Sequence, residues 1–153
     1  MSFLFQKVGR GTAEIYKILK NSSSTAIGPG NAVCYDYTTD ANATSVILPT
    51  TAALKLFAGV VAYGKTLAAS GTDGQWGKVQ IYGHHAGVKV GNGTSCYPGV
   101  GLVPVNGSGV MGVGTTHTTS AVEAINSDIH FAVACSAVAS SVYTDVTCFI
   151  RAM

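Results

Sequence analysis

From Ala32 onward, apolar and polar residues alternate with a period of two over most of the chain, as in strands that turn one side to a core. In AVCYDYTTD (32–40), Val33, Tyr35 and Tyr37 fall on one face, and Cys34, Asp36 and Thr38 on a wetter one. VILPTTAA closes the next segment at Pro49, and LKLFAGVVAYG (54–64) is apolar on both faces, with Gly59 marking a bulge or a tight backbone approach. After the turn ASGTDGQ, the stretch WGKVQIYGHH (76–85) places Trp76, Lys78, Gln80, Tyr82 and His84 on one face and Gly77, Val79, Ile81, Gly83 and His85 on the other. The alternation continues through Val88 and Val90 to a glycine-rich turn, and VGLVPV forms another short strand. IHFAVACSAV (129–138) and VYTDVTCFIR (142–151) predict a hairpin around ASS. A turn near Ser140 and Ser141 would make Cys135 and Cys148 diagonal neighbours on one face, too far apart for a disulfide.

The first thirty residues read differently. GTAEIYKILK (11–20) fits a short helix capped by Thr12 and fits an edge strand equally, and NSSSTAIGPGN (21–31) is loop-like. The sequence therefore divides into an N-terminal arm and linker (1–30) and a body (31–153). Strands at ~10-residue spacing without a long helix predict an all-β, single-domain sandwich or barrel. No exact repeat is found.

Composition sharpens this picture. Only 10% of the 153 residues are charged and 19 are glycine, against ~25% charged in an ordinary soluble domain. Such a surface suits a subunit covered by neighbours. The net charge of +2 is too small to argue for nucleic acid. Lys7, Arg10, Lys17 and Lys20 against Glu14 concentrate positive charge in the first twenty residues, as a solvated terminus or as an arm that docks on an acidic surface. MSFLFQKVGRG has no signal-peptide pattern and no run suits a membrane span, so synthesis in a cytoplasm with reduced thiols is expected. On that expectation NSS, NAT, NGT and NGS are chance matches to the glycosylation pattern.

The candidate chemistry is thin. His84 and His85 are adjacent on a strand, point to opposite faces and cannot share a metal, and His117 and His130 lie in other segments. Cys34, Cys96, Cys135 and Cys148 show no zinc-ligand rhythm, and their neighbours predict packing rather than nucleophilic use. GSGVMG (107–112) has GxGxxG spacing without the strand and helix that a phosphate loop needs. Carboxylates form no close pair. No catalytic residue, cofactor or metal is expected. Trp76, Tyr82, Tyr97, Tyr35 and Tyr37 are candidates for sugar or base stacking, although aromatics at alternate strand positions more often serve packing or interfaces.

The stretches LFAGVVAYG, GTDGQWGKVQIYGHHAGVKV and VGLVPVNG, within residues 54 to 107, resemble the capsid decoration or cement proteins of tailed bacteriophage heads. The resemblance implies a β-barrel or sandwich on the outer surface of the virion head. It would be made in the host bacterial cytoplasm, act as a homotrimer, and bridge major capsid proteins against internal pressure, with no nucleic acid or membrane partner. The residues expected at a capsid or subunit interface are Lys7, Arg10, Lys17, Lys20, Trp76, Tyr82 and His84. A tail or neck protein, a carbohydrate-binding module using Trp76, and a small hydrolase or metal enzyme using His84 or His117 with a cysteine are the alternatives.

Overall fold

The computed structural model describes residues 4–7 (backbone), 13–91, 95–114, 131–137 and 144–152. They form strands β1 (Leu4–Lys7), β2 (Glu14–Asn21), β3 (Ala32–Tyr35), β4 (Ser45–Ile47), β5 (Phe57–Val61), β6 (Trp76–Val90), β7 (Gly101–Pro104), β8 (Met111–Val113), β9 (Ala132–Ala134) and β10 (Thr144–Arg151). The protein is all-β, and among the described residues no helix is long and apolar enough to cross a membrane. The ambiguous segment before residue 21 resolves as strand β2 because both of its edges find partners, β6 on one side and β4 and β1 on the other. Leu19 and Ile27 are fully buried, so the part of the N-terminal segment from Glu14 onward belongs to the body rather than to an arm.

The pairings close into two five-stranded rings. The first runs β2–β4–β3–β5–β6 and back to β2, and the second runs β6–β8–β7–β9–β10 and back to β6. The long strand β6 is shared: its first half pairs β2 and β5, and its second half pairs β10. Closure removes exposed edges, which suits a chain with so few charges to protect them. Each ring has its own core. Leu19, Ile27, Val33, Val46, Ala58, Val61, Leu67 and Val79 form one. Val88, Val90, Cys96, Leu102, Met111, Ala132, Ala134, Val146, Cys148 and Ile150 lie in the other, together with Ala32, Phe57 and Val60 from the outside of the first ring. A bulge in β5 at Ala58, between the pairs Val33–Gly59 and Cys34–Phe57, sends Phe57 and Val60 to one core and Ala58 and Val61 to the other. Gly59, with φ 141°, makes the tight approach expected of it, since a Cβ there would lie 2.3 Å from Gln80 O.

The second ring repeats the first, strand for strand and sense for sense. Both close through a parallel pair, β2–β4 and β6–β8. The register pairs Lys20–Trp76 and Leu19–Gly77 recur as Lys89–Asp145 and Val88–Val146, a shift of 69 residues (89 − 20, 145 − 76). The turn bonds recur too: Gly30 N donates to Val61 O (3.0 Å) as Gly99 N does to Ala134 O (2.8 Å). Core positions match accordingly: Leu19 with Val88, Ile27 with Cys96, Val33 with Leu102, Val46 with Met111, Val61 with Ala134 and Val79 with Cys148. In sequence the relation survives chiefly as Lys20/Lys89, Thr25/Thr94, Pro29/Pro98 and Gly30/Gly99, too sparse to register as an exact repeat.

Two expectations change. β3 stops at Tyr35, so Asp36 is not on a wetter strand face; it is 5% exposed. Its carboxylate accepts from Ser22 Oγ (2.7 Å), Thr38 N (3.2 Å), Thr38 Oγ1 and Thr39 Oγ1. Burial works against the charge, but these bonds outweigh it and hold the carboxyl at about 2. A carboxyl lowered in the folded state contributes stability above its unfolded value of roughly 3.9, and that contribution is lost as pH falls toward 2. Asp36→Asn is expected to cost about 2 kcal/mol at pH 7. The gap to the parent narrows from pH 4 downward in chemical denaturation, and a gap independent of pH would contradict this role. The second change concerns the last hairpin, whose register pairs Cys148 with Ala134. That is one residue off the expectation, and it puts Cys148 in the core and Cys135 on the surface.

Candidate functional site

Strand β6 crosses both rings. Trp76 stands at one end, 49% exposed, directly opposite Lys20 on β2, and Lys78 follows as an exposed neighbour. Gln80, next on that face, is not exposed with them. It is buried, and its Nε2 donates to Tyr82 O (3.2 Å) and His84 O (2.8 Å). Gln80 pairs with Val60, whose side chain lies in the second core, so the second ring covers it; a bulge then leaves Ile81 unmatched between the pairs Tyr16–Gln80 and Ile15–Tyr82 and reverses the alternation. Beyond it Tyr82 and His84 both pack edge-on against Phe149 of β10, at 5.1 and 5.3 Å between ring centres. The exposed Cys135 Sγ lies 3.9 Å from His84 Nδ1. β6 thus carries an indole and a cation at its first end and, beyond the bulge, a phenol and an imidazole.

The neighbouring histidine faces inward, as strand geometry requires. His85 is 3% exposed. Its Nδ1 accepts from Gly87 N (3.1 Å) and its Nε2 faces Val61 O at 3.1 Å, so the neutral Nε2–H form fits both contacts. Burial lowers its pKa, against opposing contributions from the Val61 carbonyl, Glu14 and Asp145. His85 therefore fastens β6 to β5 rather than titrating at a surface.

The remaining expected interface residues divide. Lys17 is drawn into the structure: its Nζ donates to Tyr35 OH (3.2 Å) and lies 5.0 Å from that ring's centre. Lys7 pairs through its backbone with Glu14; its side chain, Arg10, His117 and His130 lie outside the described residues. Cys135 joins the surface without having been expected there, and Phe149 lies on the polar-aromatic face of 142–151 that alternation predicts to be an outer or interface side. Only the register of β10 against β6 and β9 brings them to His84, and no local sequence pattern carries that register.

Other chemistry is limited. All four cysteines are free, and burial pushes Cys34 and Cys148 up to about 12 and raises Cys96, which disfavours the reactive thiolate. Among the described residues no three His, Cys, Asp or Glu side chains gather where they could hold a metal ion. Where the rings meet, Asn31, Lys89, Ser108, Gly109, Val110 and Asp145 line an open cleft of about 510 Å³. No family model matches the chain, and a search of characterised proteins finds no relative.

Proposed function

We propose that this protein is a structural subunit of a phage virion, a capsid decoration protein that binds the outer surface of the head, self-associates as a homotrimer and bridges major capsid proteins. The observation that carries the reading is the set of solvent-facing side chains Trp76, Lys78, Tyr82 and His84 on one strand, β6, that runs through both rings. Aromatic and cationic side chains on a rigid support are what protein interfaces use as anchors. Two like rings on one strand give a bridging subunit two rigidly linked contact regions, and linked contacts hold more tightly than either alone. No cofactor and no catalytic group enters this role.

Purified virions are expected to contain the chain on their heads, and heads lacking it to burst at a lower temperature. Trp76→Ala is expected to weaken binding to such heads by about 30-fold. Virions without copies would end the reading. Copies confined to the tail or neck would replace it with a structural role there. The half-exposed Trp76 also favours a carbohydrate-binding module as a second reading, for which glycan binding lost in Trp76→Ala is the test.

A further inference from the structure

The turn Gly28–Asn31 of the first ring is also the lid of the second. Gly30 O accepts from Lys89 N (2.9 Å), and Ala32 N donates to Gly109 O (2.7 Å). Gly30 is pressed so close to β6 that a Cβ would lie 2.0 Å from Gly87 O. This wedge is why β6 and β8 share only the pair Val90–Met111, whereas β2 and β4 share two pairs.

The repeat carries both halves of this contact to opposite ends of the chain. The turn equivalent to Gly28–Asn31 is Tyr97–Val100, with the same internal bond, Val100 N to Tyr97 O (3.1 Å) as Asn31 N to Gly28 O (3.4 Å). Among the described residues it covers nothing: Tyr97 is 62% exposed, and a Cβ on Gly99, at φ 89°, would meet no described atom within 4 Å. The surface equivalent to Lys89, Gly109 and Asp145 is Lys20, Thr44 and Trp76, by the register pairs that define the repeat. There Lys20 N closes onto Thr44 O (2.9 Å), and Trp76 stands exposed on the rim. Two of the most exposed large aromatic residues thus mark the two halves of a contact that the chain completes once internally.

We infer that the protein self-associates head to tail, the Tyr97–Val100 turn of one copy seating on the Lys20–Thr44–Trp76 end of the next in the manner of the internal junction. Seating exchanges the Lys20–Thr44 bond for two: Lys20 N–H to Gly99 O of the incoming copy, and that copy's Gly101 N–H to Thr44 O. The contact is heterologous, so it closes into a ring where the rotation permits, a trimer included. The inference deepens the self-association in the proposed function by naming its surfaces.

Sedimentation of the full chain over a concentration series tests it. The parent is expected to associate, and Trp76→Ala and Tyr97→Ala each to weaken association by about 30-fold or more. An equimolar mixture of the two variants is expected to recover a two-chain complex, because each retains the end the other lacks. Gly99→Asn, which a left-handed turn tolerates, is expected to keep the parent's thermal stability and lose association. A parent that stays single at every concentration overturns the inference. Variants that associate like the parent, or a mixture no better than its components, also overturn it. The measurement uses isolated protein, so association without copies in virions would defeat the capsid role alone, and a lone chain found on heads would defeat this inference alone.

Discussion

Gly30→Ala is expected to cost on the order of 4 kcal/mol and to lower the melting temperature by roughly 10 °C, while Gly99→Ala at the equivalent turn costs about 1 kcal/mol. Both residues have positive φ, 75° and 89°, so each substitution carries the left-handed penalty of an L side chain. They differ in what they face. A Cβ on Gly30 would overlap Gly87 O at 2.0 Å, and β6 cannot move away. Its second half is held by β10 from Tyr82 to Val90, and His85 ties it to Val61. Gly99 has open space around it. Thermal unfolding of the two variants as isolated single chains, at low concentration, separates the contributions. Equal losses at both positions would mean that the turn's own conformation, and not its seating on β6, sets the cost.

Truncating either core is expected to lower the stability of the whole molecule. Leu19 and Leu102 are both fully buried, one in each core, and Leu→Ala at such sites costs about 3 kcal/mol through lost burial and the cavity left behind. The cores are separate, so the double variant is expected to lose about 6 kcal/mol. Unfolding should remain a single transition in every case. The reason is β6: it closes both rings, its residues Val79 and Val88 sit in different cores, and Phe57 and Val60 of the first ring are packed in the second. One ring cannot open without removing a wall of the other. Two resolved transitions in Leu19→Ala, with the second ring melting at the parent's temperature, would show the rings to be independent.

Residue pattern alone set the class of the fold and the sides of its clearest strands. Period-two alternation placed Trp76 and His84 outward and Val79 and His85 inward, because successive side chains on a strand point to opposite faces whatever their partners. The apolar run at Phe57–Val61 was legible as a doubly buried strand, and Gly59 as a close approach, since only a residue without a Cβ fits there. What alternation cannot carry is pairing. Whether Glu14–Asn21 became helix or strand depended on edges offered by β4 and β6, far along the chain. A one-residue register choice moved Cys135 from the face of Cys148 to the side of His84, and the packing of the second ring on the outside of the first buried Gln80 beside Val60. The repeat itself was hidden because its two halves keep the same bonds and core positions with few of the same residues: Ile27 and Cys96, or Val46 and Met111, fill equivalent places. Packing requires an apolar group of suitable size at each of those places and does not require identity, so closure into two rings on one strand became visible only in the tertiary structure.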